Sequence, residues 1–576
     1  MPDKGRNYLK VIFEQFLRQK NRRNRDKMRK VTKANRGSRG KRREWMMNVG
    51  LIAYLIGLVL RIPLSHMIGD KGMGFYAGAL ELYILVSVVF SYGVSRAMAA
   101  LVKYRVRREM FKSAKRVYRN VMIFTMAAGA LLTVGTGIFS GFISQTVLLE
   151  ERGSMAVLAI APAMFLSAVT GVMRGYFQGM GSMLPTVHSR LLEKVMQFGG
   201  SLLFGAALYA YGEKVAALKK TSEFAPAYGA MGAALGVSAA CVFCLLHLVF
   251  LRMVYAKTFK QQLLRDNTKY AESNAQIFLT FFQTSLPYIL CALLYNMNYV
   301  VDQRIFNYAM NVKEKGNLRA AHWGIYYGKY STVIGIAAVA CAYVAAVGVP
   351  RIVQLQEKQE SREAQFRFGN LMHYVAIFTI PCAVWMAVLA EPLVGVLFTG
   401  DTETAVSLVR SGSVLTVLFP FAYLFMGILQ RTRNQRYVIF GGLGAFLLHL
   451  LVLFVLVSAT DMGIHAVVWG MAVFWLAVCA AGYFGIMRYL SYTPDWIRFF
   501  VIPAACAGVS GVVALLLCKL LMGLIGKAVT LVICVVLCIV IYNVLLVLLK
   551  GVREDELREM PAGGILLRLW ERVHLI

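Results

Sequence analysis

Lipid offers a peptide group no hydrogen-bond partner, so a chain whose apolar residues come in runs of about 20 is restricted to bundles of membrane-spanning helices. This chain has fourteen such runs, near 46–68, 75–99, 120–143, 155–177, 193–212, 227–251, 277–301, 321–349, 371–390, 405–429, 438–459, 465–487, 498–522 and 528–549. The expected fold class is therefore all-α, a polytopic membrane protein of about 14 transmembrane helices.

Charge sets the orientation. Residues 1–45 hold 17 Lys/Arg and residues 100–119 hold 8, whereas all the loops on the alternate side together hold 10. Positive loops stay inside, which predicts a plasma-membrane protein with both termini cytoplasmic. Much of the net charge of +33 thus reports topology, and a nucleic-acid partner is not implied. Leu9, Ile12, Phe13 and Phe16 share one helical face ahead of a polybasic stretch, which suits anionic inner-leaflet lipids or serves only as an orientation signal. Ile565, Leu566, Leu569, Trp570 and Val573 suggest a second surface helix. At 576 residues and 58% hydrophobic, the chain leaves no room for a soluble domain, so function belongs to the bundle.

All ten cysteines fall within apolar runs and read as packing side chains, Cys241-x-x-Cys244 included, since no second pair accompanies it. Neither a metal-ligand set nor a cofactor motif emerges.

Four short motifs recur in the same order in the two halves: Gly93-Val-Ser-Arg96 with Gly348-Val-Pro-Arg351, Gly175-Tyr-Phe-Gln178 with Gly427-Ile-Leu-Gln430, Phe198-Gly-Gly200 with Phe440-Gly-Gly442, and Gly229-x6-Gly236 with Gly463-x6-Gly470. Their offsets drift slowly, from 255 to 252, 242 and 234 residues. Six helices per unit restore the starting side, so the copies are parallel, and substrate sites in such proteins lie between the halves. The expected organisation is a basic tail (1–45), an N-lobe (46–254), a C-lobe (277–487), two helices outside the repeat (498–549) and a cytoplasmic tail (550–576), with a central cavity between the lobes.

Arg61-Ile-Pro-Leu64, Ile68-Gly-Asp-Lys-Gly-Met-Gly-Phe-Tyr76, Gly93-Val-Ser-Arg-Ala97 and Arg174-Gly-Tyr-Phe-Gln-Gly-Met-Gly181 with Pro185 resemble the stage V sporulation protein B and polysaccharide transporter group. That group is related to the lipid II flippases, in a superfamily that also holds multidrug and toxin extrusion antiporters. Asp302 and Gly427-Ile-Leu-Gln430 extend the likeness over about 46–490. The resemblance implies a V-shaped cavity, alternating access, and transfer of an undecaprenyl-linked oligosaccharide or peptidoglycan precursor to the outer leaflet.

Ionisable residues inside spans need a partner, a wet cavity or a route to the interface. Arg61 lies roughly 12 Å and Glu81 roughly 9 Å below the outer boundary at the helical rise, depths that permit an ion pair. Lys329 is again roughly 12 Å deep, in the other half. Matched cations from both halves suit an anionic ligand between them, and the family's substrates carry phosphate; the alternative is an internal structural ion pair. Arg410 reaches either the cavity or the outer headgroups. Arg96 and Arg174, at cytoplasmic helix ends, either snorkel or capture incoming substrate. The candidate substrate-binding set is Arg61, Lys329, Glu81, Arg96, Arg174 and Arg410. Gln283, Asn296 and Asn298 either line the cavity or bond neighbouring helices, while His247 and His449, alone in apolar surroundings, read as packed or helix-bonding histidines in preference to a proton relay. No coupling ion is legible.

The partner so implied is a lipid-linked anionic sugar, moved without enzymatic chemistry. A multidrug or organic-cation antiporter of the same fold would want buried acids, yet Glu81 alone lies well inside a span. A metal-dependent membrane glycosyltransferase would want clustered carboxylates, and Asp401-x-Glu403 stands without a second cluster. The helices of 498–549 are expected to pack on the second half and offer the lipid tail an apolar groove reaching the cavity.

Overall fold

The computed structural model describes residues 45–266, 268, 272–432 and 435–552, so the surface helices expected in 1–44 and 553–576 lie outside the described residues. By packing, residues from 53 onward form one compact unit. That unit is built from helices: α1 (53–68), α2 (70–106), α3 (Phe111–Ile138), α4 (Ser154–Gly179), α5 (Leu184–Lys219), α6 (Phe224–Val254), α7 (Asn274–Asn296), α8 (Asn298–Val312), α9 (319–357), α10 (Ser361–Val388), α11 (Ala390–Leu397), α12 (Thr402–Gly412), α13 (Leu415–Leu429), α14 (Gln435–Ala459), α15 (His465–Leu490), α16 (Ile502–Ile525) and α17 (Lys527–Leu548).

Among the described residues, 11 helices are long and apolar enough to cross a membrane, or 12 if α12 and α13, bent by 46°, form one span. The protein is a multi-pass membrane protein. The expected fourteen spans differ from that number at two places. Trp45–Val106 counts once, although Gly69 breaks it at φ 69°, ψ 177°, a conformation essentially confined to glycine. Helix α5, whose middle carries Gln197, Tyr209 and Tyr211, is not among the counted spans. We call the side bearing the Gly69 break the Gly69 face, and the opposite side, bearing the turn between α2 and α3, the Glu109 face.

Helices α2, α4, α5 and α6 pack on one another, as do α9, α10, α13, α14 and α15. The recurring motifs lie at helix contacts in both halves. Gly175 of α4 abuts Ser95 and Met98 of α2, and Gly427 of α13 abuts Val349 of α9; Gly200 meets Gly236, and Gly441 meets Ala481. Helices α16 and α17 pack on α10 and α11, where Tyr542 donates to the Ile377 carbonyl (2.9 Å) and the Trp385 indole to Ser510 (3.0 Å).

On the Gly69 face the two sets of helices are locked together. Lys329, 1% exposed, forms an ion pair with Asp70 at 2.9 Å and donates to the carbonyls of Thr399 (2.8 Å) and Asp401 (2.9 Å). His66 bonds Thr399 and the Leu397 carbonyl, Arg319 pairs with Glu150 at 2.9 Å, and Asn307 donates to the Leu148 carbonyl. Backbones touch as well: a Cβ on Gly324 would strike the Asp70 carbonyl, and one on Gly74 the Ala320 carbonyl. Only glycine permits that approach.

Gly324→Val should therefore lower stability by about 1–3 kcal/mol through overpacking, seen as a lower unfolding temperature of the detergent-solubilised protein. Lys329→Met, which strips a buried pair of one partner, should cost about 3–5 kcal/mol. The double variant Asp70→Asn/Lys329→Met should recover much of that loss by the same measurement, and an equal loss in both would mean that the pair is not what Lys329 supplies.

Candidate functional site

A cavity of about 740 Å³ runs between the two sets of helices. Its deep end is at Arg61, Glu81 and Tyr327, and its other end lies at Arg190, Gln430 and Arg431, next to the helix ends of the Glu109 face. With the Gly69 face locked, the cavity addresses the Glu109 face. Two π-helical stretches border it, Val89–Val94 in α2 and Ile325–Tyr330 in α9. Such turns carry an extra residue per turn and re-aim the side chains around them, here Ser91, Tyr92, Tyr326, Tyr327 and Tyr330.

Among the described residues, the lining holds four arginines (Arg61, Arg96, Arg190, Arg431) against one acid, Glu81. It also holds eight tyrosines, with Phe419 and Trp475. Arg61 crosses to α9: it donates to Ser331 (2.7 Å), the Tyr327 hydroxyl (2.8 Å) and the Tyr327 carbonyl (3.2 Å), and stacks 3.8 Å above the Tyr327 ring. All these partners are neutral, and among the described residues no salt bridge engages the guanidinium, which leaves it available to an anion. The ion pair with Glu81 that the depths permit is not among the described salt bridges. Glu81 instead is 4% exposed with neither carboxylate oxygen hydrogen-bonded. Arg96 lies 4.4 Å over the Tyr92 ring, and the Tyr92 hydroxyl donates to Gln430 at 3.0 Å, tying α2 to the end of α13.

The structure thus brings Arg61, Glu81 and Arg96 to one cavity and puts the other three expected residues elsewhere. Lys329 matches Arg61 in depth along the sequence, but it points to the Gly69 face, where Asp70 and two carbonyls satisfy its three donors. The pattern of matched cations facing one cavity is corrected accordingly. Arg174 does not snorkel: it is 3% exposed and held inside the first set of helices by Glu193 (2.6 Å), Ser189 and Cys244. Arg410 is exposed and pairs loosely with Glu391 at 3.5 Å. Asn296 lines the cavity, whereas Asn298 is fully buried with both side-chain polar atoms unpaired. His449 bonds a neighbouring helix, its Nε2 lying 2.6 Å from Asp302 of α8 in the buried core. Helices α16 and α17 pack on the second half, against α10 and α11, as expected, but none of the described residues of 497–548 lines this cavity.

Sequence reasoning misses Arg190 and Arg431, because each borders an apolar run and counts as a loop charge. Pro185, a helix-start signal at the first turn of α5, is the feature that puts Arg190 on a helix and not in a loop. The tyrosines are visible as a cluster in Tyr326-Tyr-Gly-Lys-Tyr330 but disappear into the apolar count.

Comparison with known proteins agrees with this architecture. The chain is 23% identical over 537 residues to stage V sporulation protein B of Bacillus subtilis (strain 168), covering 91% of this chain and 97% of that one. It is 22% identical over 426 residues to the lipid II flippase MurJ of the same organism, covering 69% and 74%. Among solved structures it shares its fold with an inward-facing multidrug-resistance MATE transporter of the MOP superfamily (TM-score 0.59, 15% identity, 76% of this chain and 95% of that one). It likewise shares the fold of MurJ in an inward closed conformation (TM-score 0.58, 12% identity, 87% and 97%). A model of the family described as "Polysaccharide biosynthesis protein" matches residues 43–356, more than half of the chain, and the chain belongs to that family.

Proposed function

We propose that this protein is a flippase that carries a lipid-linked anionic sugar precursor across the plasma membrane by alternating access, with Arg61, Arg96, Arg190 and Arg431 receiving the phosphate groups. The observation that carries this reading is the charge of the cavity, four guanidiniums against one glutamate, in a fold shared with transporters and a flippase. Guanidiniums hold phosphate oxygens in charge-assisted, bidentate hydrogen bonds. In this reading the two sets of helices are parallel six-helix repeats, which the recurrence of the α2–α4 and α5–α6 packing in α9–α13 and α14–α15 supports, and residues 1–45 and 550–576 are cytoplasmic tails. The Glu109 face is then cytoplasmic and the locked Gly69 face is outer, so the cavity is open to newly made precursor. Transport moves no covalent bond, and no enzymatic chemistry is required.

An organic-cation antiporter is the second reading, favoured by the multidrug transporters that share the fold. Glu81 is the one cavity acid among the described residues, and the surrounding arginines oppose a cationic drug.

The test is reconstitution in proteoliposomes with a fluorescent polyprenyl-diphosphate oligosaccharide, scoring its accessibility to a reagent outside the vesicle. Arg61→Ala should slow flipping at least tenfold, about 1.4 kcal/mol of lost stabilisation. Arg61→Lys should retain an intermediate rate, because charge persists without the planar fork. Uptake of ethidium without lipid flipping would instead establish the antiporter reading.

A further inference from the structure

The cavity has two unlike walls. Three of the four cavity arginines, Arg61 on α1, Arg96 on α2 and Arg190 on α5, come from the N-terminal helices, whereas Arg431 follows α13 at the mouth of the cavity. Elsewhere on its lining, Tyr295 on α7, Trp475 on α15 and Phe419 on α13 form a contiguous aromatic strip, Tyr295 and Trp475 tilted by 37° with ring centroids 6.5 Å apart and Phe419 edge-on to Trp475 (81°) at 4.9 Å. All three rings are half-buried and line the open cavity. Among the described residues, the cation–π contacts of the cavity arginines go to Tyr327, Tyr92 and Tyr288, so no protein cation occupies the faces of the strip.

Polar tips edge this strip. Among the described residues the Trp475 indole N–H makes no hydrogen bond. Asn296 directs its amide to the Ala292 carbonyl (2.8 Å), leaving its carboxamide oxygen. A prenyl tail needs aliphatic surroundings and no hydrogen-bond groups, and a bare diphosphate needs only the cationic wall. A pyranose needs both features found here, since its C–H faces lie flat on aromatic rings while its rim hydroxyls require donors and acceptors.

Resting on the flippase reading, we propose that Tyr295, Phe419 and Trp475 form a sugar subsite that stacks the glycan of the substrate opposite its arginine-held diphosphate. Selection for a glycosylated lipid over the bare carrier lipid then resides in the aromatic wall, and the general pull on phosphate resides in the cationic one. The two contributions separate by mutation.

The experiment measures binding to the full-length protein in nanodiscs of two probes, polyprenyl diphosphate and polyprenyl diphosphate carrying an N-acetylated disaccharide. The unmodified protein should bind the glycosylated probe at least tenfold more tightly. Trp475→Leu and Phe419→Leu keep apolar volume but remove the ring face, and each should bring the ratio toward unity while affinity for polyprenyl diphosphate stays within about threefold. Trp475→Phe should restore part of the preference, an outcome that a purely structural role for this side chain does not produce. Arg61→Ala should weaken both probes alike. Equal affinity of the unmodified protein for the two probes, or a loss in Trp475→Leu that falls equally on both, overturns the sugar subsite while leaving the flippase reading intact. Binding of neither probe by the unmodified protein overturns the flippase reading and the subsite with it.

Discussion

A cation inside hydrocarbon costs at least about 2.5 kcal/mol even on insertion scales, and the positions of Arg61, Lys329 and Arg174 all answer to that cost. Each takes a different solution. Lys329 is enclosed and fully paired, with an acid and two carbonyls filling its three donors. Arg174 is enclosed and paired within one set of helices through Glu193. Arg61 is satisfied by neutral oxygens and a ring beside an open cavity. Only the last solution leaves net charge for a visitor, so the pairing of the other two is what confines the positive potential to the cavity.

The same requirement explains the closed side. The Lys329 ammonium does not draw on one neighbour but gathers α2 and the loop between α11 and α12 onto α9. Backbone contact at Gly74 and Gly324 then becomes possible. Rupture of this face exposes a buried ammonium to water, which solvates it, so opening there replaces protein partners with hydration instead of stranding a charge. Removing Asp70 alone offers no such replacement.

The membrane fold is legible in the sequence because lipid imposes a severe filter: the apolar runs agree with helix positions, and Gly69 stands where a short connection is expected. Helix lengths are not legible, since α2 continues to 106 and α7 is followed directly by α8, with polar residues that sequence reading assigns to loops. Depth along a helix is readable for Arg61 and Lys329, yet depth carries no rotation. Their side chains diverge, and Lys329 lies within a π-helical turn of α9, an irregularity that periodicity does not encode. The Asp302–His449 pair escapes sequence reading for a related reason: the partners are 147 residues apart, and each alone looks like an isolated polar residue.

The π-helical stretches Val89–Val94 and Ile325–Tyr330 have a mechanical meaning. A π turn holds one residue more than an α turn, and at 3.6 residues and about 5.4 Å per turn one residue corresponds to about 100° of rotation and 1.5 Å of advance. Resolving either bulge therefore acts as a screw on the helix beyond it, with no hinge and no broken span. Through α2 that screw turns Arg96; through α9 it turns the remainder of the helix relative to Tyr327 and Lys329. Each set of helices carries one such stretch beside the cavity, so the rotation needed to re-aim a cavity wall is already present in the chain as stored helical slack.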